Sequence, residues 1–195
     1  MDNALPNLLL RGAAIGLLVL LALTLGRDRR LAARLGAGFA LSVAAGTLAG
    51  LPGFAQPAGP GAELVVAVAS GAMFVFWLFT RALFDDEAFR LRRWHGLVWG
   101  ALAGLGVLNC LGRAEPLSGA VAGLAPIAWA LLAIAQTLSA WREDLVEGRR
   151  RLRSQVVIIT AFYTLAQLLA AMLLGLDLRE VIASTGNAAG TAALS

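Results

Sequence analysis

The side chains able to do chemistry in this sequence are few, and most stand alone. His95 is the only histidine and Cys110 the only cysteine in 195 residues. A metal centre needs several His, Cys or carboxylate ligands converging on one point. The carboxylates nearest to His95 in sequence, Asp85, Asp86 and Glu87, have no ligand spacing toward it. A Ser-His-Asp triad would have to use this one histidine as its base, and no GxSxG turn accompanies the serines. Asp85-Asp86 has the form of the acidic pairs that hold magnesium in diphosphate enzymes, but the position where such a motif repeats its acid is Phe89. Gly104 and Gly106 follow no strand and lack a third glycine in place, so no dinucleotide fingerprint is present. Cys110 lies in an apolar run and reads as a small buried residue. The expectation is a protein that is not an enzyme and holds no cofactor or metal.

Two other groups of polar residues remain. Thr160, Tyr163, Thr164 and Gln167 follow i, i+3, i+4, i+7 spacing and share one helix face. With Asn109 they form a candidate polar face for a ligand or for interhelical hydrogen bonds, since polar groups in lipid are costly without partners. The second group is the stretch FWLFTRALFDDEAFRLRRWHG, Phe76 to Gly96, which packs seven charges into a mostly aliphatic chain. If the helix before it continues, Asp86 and Arg90 pair across one turn. Glu147 and Arg151 do the same in WREDLVEGRRRLRS. Each such pair contributes about 0.2–0.5 kcal/mol.

The elements that must carry these residues are set by composition. Hydrophobic residues make up 59% and charged residues 14%, against roughly 45–50% and about 25% in soluble domains. The charges are clustered, leaving apolar stretches between them. A span takes about 20 apolar residues, and windows near 7–26, 32–51, 64–83, 95–112, 117–140 and 155–176 qualify. The fold expected is an all-α polytopic transmembrane bundle over residues 1–176, of six spans, with a partial seventh as the alternative to an external tail. Residues 177–195 read as an external tail or the start of that seventh span.

Every basic residue is an arginine. Arg27, Arg29 and Arg30 fall in the first loop, Arg90, Arg92 and Arg93 in the third, and Arg142, Arg149, Arg150, Arg151 and Arg153 in the fifth. The second loop has none. Loops rich in arginine stay in the cytoplasm, which puts the N-terminus outside. The polar, acidic flank MDNALPN before the first apolar run and RDRR after it are the reverse of a cleavable signal. Arg11, Arg34 and Arg81 lie near span ends, where long side chains snorkel to the interface. Gly12/Gly16, Gly46/Gly50, Gly100/Gly104 and Gly119/Gly123 have the spacing of close helix contacts.

The segments Phe76–His95 and Trp141–Arg153 resemble parts of the membrane-embedded N-terminal sensor half of bacterial AraC-type transcription regulators. That resemblance implies a sensory or signal-coupling domain of the inner membrane, with a small or lipidic ligand bound between helices. Asp85, Asp86, Glu87, Arg90, Glu147 and Arg151 would then couple to a cytoplasmic output. It implies contact with nucleic acid only through a helix-turn-helix output domain, whose charge and turn pattern no segment after Leu176 carries. The expected partners are the lipid bilayer, the ligand and a second copy of the chain. The other readings are a small transporter and a structural subunit of a membrane complex.

Overall fold

A computed structural model of the chain describes residues 4–51, 54, 59–84, 89–113 and 116–142. Among these residues there are six helices and no strand: α1 (Ala4–Gly26), α2 (Leu31–Ala49), α3 (Pro60–Ser70), α4 (Ala72–Phe84), α5 (Arg93–Cys110) and α6 (Pro116–Arg142). The expected span at 155–176 and the tail at 177–195 lie outside the described residues.

Three segments are long and apolar enough to cross a membrane: Leu8–Gly26, Leu31–Ala49 and Leu117–Ser139. α3 and α4 together make a fourth candidate, bent by 42° at Gly71. The window at 64–83 is therefore not one straight span. α5 opens on Arg93, Trp94 and His95 and is not among the candidate spans.

Local chemistry sets the helix ends. Asp28 accepts a hydrogen bond from the Arg30 N–H at 3.0 Å, closing the turn between α1 and α2. α3 begins at Pro60, where a missing N–H costs nothing and φ is already helical. α4 ends at Phe84, and Phe89–Arg92 has no regular secondary structure. The helix does not continue through Arg90, so the condition for an Asp86–Arg90 helical pair is not met. α6 runs unbroken through Pro126.

α2 packs on α1, α3 and α4, while α4 also packs on α6, and α3 on α5. α2 can take three neighbours because its buried positions are small: Ala32, Gly36, Ala37, Ala40, Ser42, Ala44, Gly46 and Thr47. A Cβ at Gly36 would sit 3.2 Å from the Phe79 ring and 3.4 Å from Leu25. Most of the glycines at close-contact spacing are not used this way, for Gly12, Gly16, Gly100, Gly104 and Gly119 face open space. α1 leaves Leu8, Leu9, Leu17, Leu20, Leu21 and Leu23 exposed, a surface suited to acyl chains.

Leu25 beside Gly36, and Phe79 against it, set α1, α2 and α4 antiparallel in turn. The α1–α2 turn with Arg27, Arg29, Arg30 and Arg34 thus shares one end of the bundle with Arg81 at the foot of α4. At the opposite end Arg11 is buried, and its guanidinium donates to the Gly50 carbonyl at 2.7 Å. Arg11 does not snorkel; it ties α1 to the last turn of α2, where the helix dipole favours a cation.

Candidate functional site

The core of the molecule is aromatic and centred on α4. Phe74, Phe76, Trp77 and Leu78 are buried together with Ala133 of α6. α6 adds Trp129, whose ring lies 4.7 Å from Phe74 and 5.1 Å from Trp77, centroid to centroid. α5 adds His95 and Trp94, stacked on one another at 3.8 Å. The His95 ring also lies 6.4 Å from Phe74, 6.5 Å from Trp77 and 5.7 Å from Phe89. Helical rise puts Trp77 about 10 Å back from the end of α4. Residues 89–92 therefore return alongside α4 before α5 starts.

Two polar side chains enter this apolar nest. The Arg81 guanidinium sits 5.5 Å from the Trp77 ring and 5.5 Å from the Phe89 ring, where ring quadrupoles attract the cation. His95 is 4% exposed. Its Nδ1 accepts the Arg92 N–H at 2.8 Å, closing the first turn of α5. That bond is shorter than the 3.2 Å between Nδ1 and the Arg92 carbonyl oxygen, so the ring proton is assigned to Nε2.

The buried hydroxyls satisfy themselves. Ser42 donates to Gly38 at 2.9 Å, Thr47 to Val43 at 3.0 Å, Thr80 to Trp77 at 2.8 Å and Thr137 to Ala133 at 2.8 Å. Each hydroxyl returns to a carbonyl one turn earlier on its own helix, so it needs no partner across an interface. His95 Nε2 and Arg81 Nε are different: both are buried and neither has a hydrogen-bond partner among the described residues. Leaving a buried donor unsatisfied costs about 1–3 kcal/mol, more for a charged group. Unpaired groups of this kind are rare in folded proteins and ask for a reason.

This cluster is not the site that the sequence pattern selects. Asn109 is exposed near the far end of α5, about 20 Å along the helix from His95, so it belongs to the opposite end of the bundle. Arg90 is exposed in the segment between α4 and α5. Asp85, Asp86, Glu87, Glu147, Arg151, Thr160, Tyr163, Thr164 and Gln167 lie outside the described residues. The signal that points to the observed cluster is the spacing of Phe74, Trp77 and Arg81, i, i+3 and i+7, which share one face of α4. A lone histidine eighteen positions after Trp77 carries no such periodicity, and only the fold brings it to that face. No family model, no curated protein and no solved structure matches the chain.

Proposed function

We propose that this chain is a sensory or signal-coupling domain of the bacterial inner membrane, a bundle of six spans with its N-terminus outside. It binds a small or lipidic ligand and passes a change in helix packing to its cytoplasmic loops. The observation that carries this reading is the pair of unpartnered atoms, Arg81 Nε and His95 Nε2, in a core whose buried hydroxyls are all bonded within their own helices. A purely structural core gains nothing from them, whereas a binding site keeps polar groups ready for an occupant. The cluster joins α4, α5 and α6, so occupancy there bears on three helices at once.

Two further features support the proposal. The arginines of the first loop share one end of the bundle with Arg81, and arginine-rich ends stay in the cytoplasm. α3 and α4 have a combined length of about 37 Å along the chain, which their 42° bend shortens to about 34 Å end to end, against a hydrocarbon core of about 30 Å. The end of α4 therefore reaches the cytoplasmic boundary, with Trp94 packed beside Trp77 further up the helix. The resemblance of Phe76–His95 and Trp141–Arg153 to the sensor half of AraC-type regulators agrees with this assignment.

The test fuses the chain, through one added transmembrane helix that returns its end to the cytoplasm, to a helix-turn-helix output with a transcriptional reporter. His95→Phe and the milder His95→Gln are expected to shift reporter output at least threefold at unchanged membrane level. Unchanged output in a well-inserted His95→Gln protein would remove the reading.

A second reading, a small transporter, is favoured by the broken α3–α4 span, because transporter sites are built at interrupted helices near the midplane. It predicts that a cysteine at Ser70, in a Cys110→Ala background, reacts with a water-soluble thiol reagent. Protection from reagent on both sides would rule it out.

A further inference from the structure

We infer that Arg81 and His95 form a binding site for an oxyanion, a phosphate or carboxylate group, with the aromatic rings taking an adjoining apolar portion. The inference deepens the proposed ligand-binding role of this cluster and rests on that part of it, but not on the chain being a regulator's sensor half.

The chemistry of the donors decides the class of ligand. Nε2 of the neutral His95 ring carries a proton to give, and Arg81 Nε carries another; both need an acceptor. Arg81 is also a permanent cation. The acids among the described residues are Asp28 and Glu63, and neither is bonded to it, Asp28 being engaged with the Arg30 N–H. A neutral acceptor would satisfy the hydrogen bonds and leave the charge uncompensated. An oxyanion does both, and charge-assisted bonds of this kind are about twice as strong as neutral ones.

The surroundings add a selection rule. The same two rings, Trp77 and Phe89, lie against both Arg81 and His95, so the two donors share one aromatic surround. Phe74 and Trp129 continue this aromatic surface beyond Trp77. A strongly hydrated ion with no apolar part would lose solvation there without using the rings, whereas an amphiphile places its headgroup on the donors and its chain against the aromatics. The headgroup of an anionic phospholipid and a free phosphate share the chemistry, and the experiment separates them.

The full chain is reconstituted in nanodiscs holding brominated phosphatidylglycerol or brominated phosphatidylcholine, and quenching of tryptophan emission gives the relative affinity. The expected result is at least a fivefold preference for the anionic lipid. Arg81→Met and His95→Phe should abolish it, Arg81→Lys should restore part of it, and Arg34→Gln should leave it intact. Arg34 is an exposed arginine at the same end of the bundle, so it controls for general attraction of anionic lipid to basic loops. His95→Gln serves if His95→Phe does not insert. Absence of a lipid preference, with inorganic phosphate shifting the emission of the wild type but not of Arg81→Met, would uphold the site and assign it to a free oxyanion. No response to either probe, or equal loss in Arg34→Gln, would overturn the inference. So would binding gained only after Asp85, Asp86 and Glu87 are neutralised, because the acceptor would then be the chain's own. Lipid binding without any reporter effect of His95 variants would leave the site standing and remove only the sensory role.

Discussion

Arg11 and Arg81 have the same residue type and a similar place near a helix end, yet the fold treats them differently. Arg11 is buried with a charge-assisted bond to Gly50 that joins α1 to α2. Arg81 is held by two aromatic faces and keeps one donor unbonded. The sequence made both look like snorkelling side chains, because position along an apolar run says nothing about which carbonyl or ring waits on the neighbouring helix. Hydrogen bonds to charged groups contribute about 1.5–3 kcal/mol. Arg11→Leu is therefore expected to lower the stability of the α1–α2 pair by about that amount, measured as an earlier unfolding midpoint in detergent. An unchanged midpoint would mean that the Gly50 carbonyl is satisfied equally well by water or lipid headgroups.

At the scale of elements, apolar length located α1, α2 and α6 to within a few residues, since a long uninterrupted apolar run has few other structures open to it. It failed at the break between α3 and α4. Ser70-Gly71 is a turn-type dipeptide, but it sits inside an apolar run whose length alone fits one straight span. The glycine is needed for space and not for backbone freedom: its φ of −85° is ordinary, but a Cβ there would collide with the Trp99 indole of α5. Ser70 likewise meets Gly106, where a Cβ would collide with its hydroxyl. Such contacts are non-local, so no window on the sequence contains them. Gly71→Ala is expected to cost about 1–3 kcal/mol by overpacking. Trp99→Leu should restore most of that in the double variant, because the colliding ring is gone. A Gly71→Ala protein as stable as the wild type would show that α5 moves freely away from the bend.

For the whole molecule, the helical, apolar character of the described residues was legible from composition, and the first-loop arginines share an end of the bundle with Arg81. The candidate site was not legible, because it is assembled from α4, α5, α6 and the segment at Phe89, and only packing order brings them together. Its proposed role as a cytoplasm-facing receiver depends on which side of the membrane that end occupies. The most direct measurement is single-cysteine labelling at Leu91, which is exposed in the segment between α4 and α5 and leaves every arginine in place. In a Cys110→Ala background, Leu91→Cys is expected to resist a membrane-impermeant maleimide in intact cells and to react once the inner membrane is opened. Labelling of Leu91→Cys in intact cells would put the Arg81–His95 cluster on the outer face and contradict the account.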